Sequence, residues 1–343
     1  MTATEAFRIQ LEGSDRAYDC AGDDTILRAG LRAGLGLSYE CNVGSCGSCK
    51  YQLIAGEVDV HWKEAPGLSA RDWERGRRLA CQSRPTSDCR IKMVVNDEFA
   101  PHTRPKRFAA TLAEVVDVTH DMRELRFRTD GPASFLPGQY ALLSVPGANA
   151  PRAYSMSNVG NEAGAWEFVI RRVRNGYVTG YLFDQVAVGG TVEMDGPFGL
   201  AYLRPDAPRD LVCIAGGSGL SPMISIARGF VRDDRLAGRK LHFFYGARGP
   251  LDVCGETHLC ELPGFGERIV YHPAISMPEL DPEGQWQGAR GFIHELVPSI
   301  LGEPLPSYEF YMAGPPPMIE ATQKLLAATH KVPFQQVHYD RFF

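Results

Sequence analysis

Four cysteines carry the clearest chemical signal in the sequence. Cys41, Cys46 and Cys49 form a C-x4-C-x2-C run, and Cys81 follows 32 positions after Cys49. Four thiolates at this spacing hold the two irons of a plant-type [2Fe–2S] cluster. The loop has to wrap an anionic group, and Gly44 and Gly47 let its backbone take positive φ and turn N–H groups toward sulfur. A structural zinc site ordinarily draws on paired C-x2–4-C or histidine ligands, and neither accompanies Cys81. The spacing therefore predicts a one-electron centre.

Two glycine-rich turns point to a nucleotide. Gly216-Gly217-Ser218-Gly219 lies between an apolar run at 211–215 and a helical run at 222–231. There a dinucleotide pyrophosphate can approach the backbone, and a helix N-terminus offers it N–H groups and a positive dipole end. Pro222 takes the third glycine's place in G-x-G-x-x-G, as suits the first turn of a helix. Ala313-Gly314-Pro315 ends a second strand-like run, 308–312. Open α/β sheets bind ligands at such carboxyl ends of strands. Mid-chain, Arg152-Ala153-Tyr154-Ser155 offers a guanidinium fork, a flat ring and a hydroxyl, and Gly176-Tyr177-Val178-Thr179 offers another turn. By composition alone these read equally well as a surface arginine, a core tyrosine and an ordinary connection.

The elements that must position these groups fall into three stretches. Residues 1–103 read as a small α+β domain with strands at 7–11, 51–54 and 91–95 and a helix at 26–35. Residues 96–106 are polar and proline-interrupted, a linker. Residues 107–204 carry short strand runs at 111–118, 124–128, 139–145, 166–171 and 191–195, which suggest an antiparallel β-barrel or sandwich. Residues 208–343 alternate strand and helix, with strands at 211–215, 240–245, 268–272 and 308–312 and helices at 222–231, 292–301 and 318–328. That alternation implies an α/β doubly wound parallel sheet.

Composition bounds the rest. The chain has 343 residues, 44 % of them hydrophobic, and its 41 acidic and 36 basic residues give −5. That balance argues against a general nucleic-acid-binding role. No apolar run approaches membrane-spanning length, and residues 1–5 show no signal segment. Nine cysteines, five of them scattered (Cys20, Cys89, Cys213, Cys254, Cys260), form no disulfide framework and suit a reducing cytoplasm. Each of the five reads as a buried apolar residue or an inert thiol.

The order R-x-Y-S, G-x-x-[ST], G-G-x-G-x-[AS]-P and x-G-P-P-x-M resembles the flavin and nicotinamide modules of the ferredoxin–NADP+ reductase type. With the cysteine motif in front, essentially the whole chain, including 332–343, is similar to the NADH-dependent reductase components of bacterial multicomponent oxygenases, toluene 4-monooxygenase reductase type. The resemblance implies a β-grasp ferredoxin domain, a FAD-binding barrel and an NAD-binding α/β domain. It assigns FAD to Arg152, Ala153, Tyr154 and Ser155, to Val169, Ile170 and Arg171, and to Gly176, Tyr177, Val178 and Thr179. Phe342 or Phe343 would cover the flavin, and the choice between them stays open. NADH would meet Gly216, Gly217, Ser218 and Gly219, with Ala313, Gly314 and Pro315 opposite. Relatives often have cysteine where this chain has Ala313, and hydride transfer needs close approach more than a thiol.

The implied activity is an NADH:acceptor oxidoreductase with no protein acid or base at the hydride step, serving aromatic hydrocarbon catabolism. Electrons would leave to a ferredoxin, Rieske-type for instance, or to the hydroxylase of a diiron monooxygenase. A reductase for a Rieske dioxygenase, a redox sensor and a zinc-stapled nucleotide-binding module are the alternatives. Coenzyme preference is ambiguous, because Arg248 would suit a 2′-phosphate whereas Asp252 and Glu256 would repel one.

Overall fold

The computed structural model describes residues 5–302 and 304–343 and contains three large sheets and a two-stranded ribbon. Contacts gather it into two units. One holds the described residues up to Arg107 with Asn149–Ala153 and Asp195–Leu200, and the other holds the remainder.

In the first unit the sheet order is Ala17–Ala21, Ala6–Leu11, Cys89–Met93, Lys50–Ala55, Arg77–Leu79. Ala6–Leu11 runs parallel to Cys89–Met93, and its other partner is antiparallel. The helix Ile26–Arg32 buries Ile26, Leu27 and Leu31, and the Thr25 hydroxyl caps it by accepting the Arg28 N–H at 3.3 Å. Such a cap contributes about 1 kcal/mol. The helix stops short of the expected 26–35 because Gly34 takes φ +87° just after the Ala33 cap, the left-handed exit that glycine allows. Arg32 then grips both carboxylate oxygens of Asp195 at 2.7 Å and Asp24 at 2.9 Å. The expected linker at 96–106 is partly ordered: Asp97–Phe99 forms a 3-10 turn, and the next strand begins at Lys106.

The barrel sheet runs Arg152–Ser155, Tyr140–Ser144, Thr191–Phe198, Lys106–Asp117, Met122–Arg128, Ala165–Arg171. Its core includes Leu112, Leu125, Phe127, Leu143, Phe168 and Met194. A third sheet orders Ala289–Arg290, Ile269–Ile275, Leu241–Ala247, Asp210–Gly216, Tyr308–Gly314 and Val337–Arg341, all parallel. The last of these strands was not anticipated, although Val337-His338-Tyr339-Asp340 alternates as a strand should. Met122 and Val169 of the barrel and Leu203 after its last strand share one core with Cys213 and Phe243 of the parallel sheet and Met223 of the helix Leu220–Arg232. A shared core explains why the barrel and the parallel sheet form one unit.

Glu124 is 1 % exposed on the barrel wall. It accepts from Ser157 Oγ at 2.9 Å and from Arg126 Nη2 at 2.8 Å, and His258 Nε2, on the helix Glu256–Cys260, lies 3.7 Å away. Burial alone would raise its pKa, but His258, Arg126 and Ser157 outweigh that and hold the carboxyl down to about 2. Because the folded value is depressed, the contribution is present above the ordinary carboxyl range and is lost as pH falls through about 2. Glu124→Gln should therefore cost about 1–3 kcal/mol near neutral pH. In thermal melts at stepped pH, the gap between wild type and variant should close from about pH 5 downward. A gap that stays constant would contradict this account.

Candidate functional site

The cysteine loop is built from backbone that only certain residues tolerate. Gly44 and Gly47 take φ +91° and +78°, as expected, and Asn42 takes +56°. The sulfurs associate in two pairs. Cys49 and Cys81 lie 3.4 Å apart, and Cys41 and Cys46 interact with each other. Backbone N–H groups point at them: Cys46 N–H donates to Cys41 Sγ at 3.3 Å, and Ser48 N–H donates to Cys46 Sγ at 3.4 Å. The Cys41 thiol, with the Cys41 and Ser48 N–H groups that donate to Cys46 Sγ, holds Cys46 down to about 6, and Cys49 likewise holds Cys81 below its ordinary value.

Among the described residues no three of these sulfurs lie within 4.8 Å of one another. A tetrahedral zinc, with Zn–S of about 2.3 Å, would draw all four to about 3.8 Å. Two pairs suit two irons. The Asn42 amide is buried without a partner beside Cys41, a donor available to an anionic group there. The residues present fit a [2Fe–2S] cluster.

A strap over this loop was missed in the sequence. The Gly67 N–H donates to Gly44 O at 3.0 Å. A Cβ on Gly67 would stand 2.6 Å from Gly47 N and 2.8 Å from Gly44 O. Trp62, 42 % exposed, lies against Gly44. The only local signal was Pro66-Gly67, which reads as a turn. Of the five remaining cysteines, Cys20, Cys89 and Cys213 are buried as expected, whereas Cys260 is exposed.

The flavin motifs occupy the two edge strands of the barrel sheet. In Arg152–Ser155, Arg152 is exposed and donates to Ala150 O at 3.1 Å, Ala153 is half-buried, Tyr154 packs on the barrel core and Ser155 is buried. In Ala165–Arg171, Val169 and Ile170 are buried, Val169 in the core of the parallel sheet and Ile170 in that of the barrel. Gly176 caps the helix Tyr177–Asp184 with no side-chain bond, so its first-turn N–H groups remain open to an anion. Thr179 Oγ1 accepts the Val173 N–H at 3.2 Å, Val178 is buried, and Tyr177 donates to Pro146 O at 3.0 Å. Phe342 packs on the core of the parallel sheet with its N–H bonded to Gly314 O at 2.9 Å, while Phe343 is 60 % exposed. Within the second unit, the Tyr154 ring and the open helix start at Gly176 are groups of the kind a flavin dinucleotide needs.

A cavity of about 530 Å³ opens at the carboxyl ends of the parallel strands. Gly216, Gly217 and Pro315 line it, whereas Ser218, Gly219, Ala313 and Gly314 are not among its lining residues. A Cβ on Gly219 would sit 1.9 Å from Ala313 O, so the end of the strand Tyr308–Gly314 leaves room for glycine alone. Arg248, weighed in the sequence as a coenzyme contact, lines this cavity, whereas Tyr245, Arg171 and Phe292 were not foreseen as its walls. Arg171, assigned to flavin by resemblance, is held by Asp121 through Nε at 2.7 Å and Nη2 at 2.6 Å. Its Nη1 lies 3.3 Å from where a Gly217 Cβ would be, over the dinucleotide turn. Arg248 is engaged by Asp252 at 2.9 and 3.1 Å, so its fork is already occupied, while Glu256 is not part of the lining.

Comparison with known proteins finds a domain for each of the three cofactors. The chain matches the 2Fe-2S iron-sulfur cluster binding domain over residues 9–86, the oxidoreductase FAD-binding domain over 109–202 and the oxidoreductase NAD-binding domain over 213–324. It is 40 % identical over 341 residues to ferredoxin–NAD(P)+ reductase CarAd of Metapseudomonas resinovorans, covering 98 % of this chain and 100 % of that protein. It is also 40 % identical to the ferredoxin–NAD+ reductase component of the alkene monooxygenase system of Xanthobacter autotrophicus, covering 95 % of this chain and 98 % of that protein. The solved ferredoxin reductase in carbazole 1,9a-dioxygenase superposes with a TM-score of 0.90 at 38 % identity, covering 99 % of each chain. With paired cluster cysteines, a flavin barrel and a dinucleotide cavity on one chain, the protein belongs to the ferredoxin–NAD(P)+ reductase components of multicomponent oxygenases, oxidoreductases that use FAD and a [2Fe–2S] cluster.

Proposed function

We propose that this reductase draws on NADH and passes single electrons to a ferredoxin that serves a diiron hydrocarbon monooxygenase. The observation that carries the one-electron exit is the division into two pairs of four sulfurs, three from one loop and the fourth, Cys81, from the turn Ala80–Gln82. When bound, FAD accepts a hydride and releases electrons singly, which the cluster can take one at a time. On this proposal Cys41, Cys46, Cys49 and Cys81 hold the irons. Arg152 and the start of the helix Tyr177–Asp184 take the FAD phosphates, Tyr154 and Ser155 take its ring system, and Phe342 or Phe343 shields it. Gly216, Gly217 and Pro315 receive the dinucleotide, and Arg171 leans over its phosphates instead of the flavin's. The domains run over 1–103, 107–204 and 208–343.

The ferredoxin acceptor rests on the names of the two 40 % identical relatives, each a ferredoxin reductase. The alkene monooxygenase relative supports the client we favour, and the carbazole dioxygenase reductase supports a Rieske dioxygenase instead. Steady-state NADH-driven reduction of purified ferredoxins from both kinds of system separates the two readings by kcat/KM. A preference for the dioxygenase ferredoxin would overturn our choice. No helix among the described residues is long and apolar enough to cross a membrane, and we place the protein in the cytoplasm.

Two variants test the site assignments. Cys46→Ser should keep NADH-driven reduction of a small dye, which flavin can serve, and lose ferredoxin reduction by at least about 100-fold, or about 2.7 kcal/mol. Equal loss of both would show that the cluster is not the exit. Gly67→Ala should push the strap off Gly44 and Gly47 and lower iron content while FAD content stays at the wild-type level. Wild-type iron in that variant would refute the strap's role.

A further inference from the structure

The barrel sheet ends in two edge strands, Arg152–Ser155 and Ala165–Arg171, which do not neighbour each other in the sheet order. Unpaired edge groups in a buried seam are costly and need partners from elsewhere. Ser221 supplies them. Its hydroxyl accepts the Val169 N–H at 3.0 Å and donates to the Ser155 carbonyl at 2.7 Å, and the residue is 1 % exposed. A hydroxyl is both donor and acceptor, so this one stands in for a missing backbone rung.

The same helix, Leu220–Arg232, repeats the device one turn on. Ser225 accepts the Gly138 N–H at 3.1 Å and donates to Asn158 O at 2.6 Å. Arg228 donates to Ser157 O and to Glu167, both at 3.1 Å. Positions 221, 225 and 228 share one helix face. They differ in what they hold. Both partners of Ser221 belong to strands assigned to the flavin, and Ser225 binds connections beyond those strands. Ser221 also lies two residues past Gly219, on the helix that opens from the dinucleotide turn. One hydroxyl thus ties both flavin strands to the backbone that receives the dinucleotide.

We propose that Ser221 is a positioning residue for hydride transfer, setting the spacing between the flavin strands and the dinucleotide turn while touching neither ring. The proposal rests on the flavin and dinucleotide sites assigned above. Transfer requires close approach of aligned reacting atoms, and small misplacements are expensive, up to about 100-fold per ångström. Removing the rung frees the seam without removing a ligand contact, so the effect should fall on the rate and spare affinity.

The test compares Ser221→Ala, Ser221→Cys (similar in size, a poor donor), Ser221→Thr (hydroxyl restored) and Ser225→Ala as holoproteins. For each variant, FAD dissociation, the visible circular dichroism of bound flavin, NAD+ affinity and the anaerobic rate of flavin reduction at saturating NADH are measured. Ser221→Ala and Ser221→Cys should change the dichroism and slow flavin reduction about tenfold or more, with FAD and NAD+ affinities within about twofold. Ser221→Thr should recover most of the rate. Ser225→Ala should lose thermal stability but keep the rate. Equal rate losses in the 221 and 225 variants, or an unchanged rate in both Ser221→Ala and Ser221→Cys, would overturn the proposal. Failure of NADH to reduce wild-type flavin would instead sink the underlying site assignment.

Discussion

A helix that packs into the open seam of a β-barrel is the constraint on which this molecule's arrangement depends. Leu220–Arg232 covers its parallel sheet with Leu220, Met223, Ile224, Ala227 and Phe230. With its serines and Arg228 it satisfies main-chain groups that the barrel strands leave unpaired. The apolar face contributes most of the burial, at about 25 cal/mol per Å². The polar face sets register, because buried hydroxyl bonds tolerate little displacement. Ser155, the strand Ala165–Arg171 and the glycine turn ahead of the helix are therefore parts of one packed unit, and this suits the short approach that hydride transfer would need on the proposed assignments.

The cluster loop obeys a different economy. A loop around an anionic centre has to aim N–H groups inward, which requires left-handed backbone at Asn42, Gly44 and Gly47. Such a loop has few apolar side chains with which to hold itself. The strap through Gly67 fastens it from outside by backbone contact, which no other residue could make at that approach. Trp62, partly exposed over Gly44, leaves an aromatic face beside the one-electron site.

Much of this was legible in the residues themselves. Cysteine spacing reflects coordination geometry, and the alternation of strands and helices reflects a parallel sheet, so both were visible without coordinates. The strand expected at 211–215 is found as Asp210–Gly216, because a continuous apolar run has little freedom, whereas the longest barrel strand starts at Lys106, well ahead of the expected 111. What stayed hidden was cooperation between distant segments. Gly219 read as a phosphate-binding glycine, and the fold adds a demand of its own, since the Ala313 carbonyl leaves no room for a Cβ there. Arg171 read as a flavin contact, and only the fold shows Asp121 holding it with Nη1 beside Gly217. Arg248 left coenzyme preference open in the sequence, and in the fold Asp252 occupies its fork. Ser221 stood in the sequence only as the [AS] position of the dinucleotide motif, and its bridging role is invisible until the barrel edges are seen on either side of it.

The central claim is that two kinds of redox centre act in series on one polypeptide, with hydride entering at the carboxyl-terminal sheet and single electrons leaving through iron. Metal and flavin analysis combined with an anaerobic NADH titration followed by visible absorbance tests this most directly. The account predicts about two irons and one FAD per chain, with the flavin and iron–sulfur bands both bleaching as NADH is added. Zinc in place of iron, or flavin that bleaches while the iron–sulfur bands persist, would contradict it.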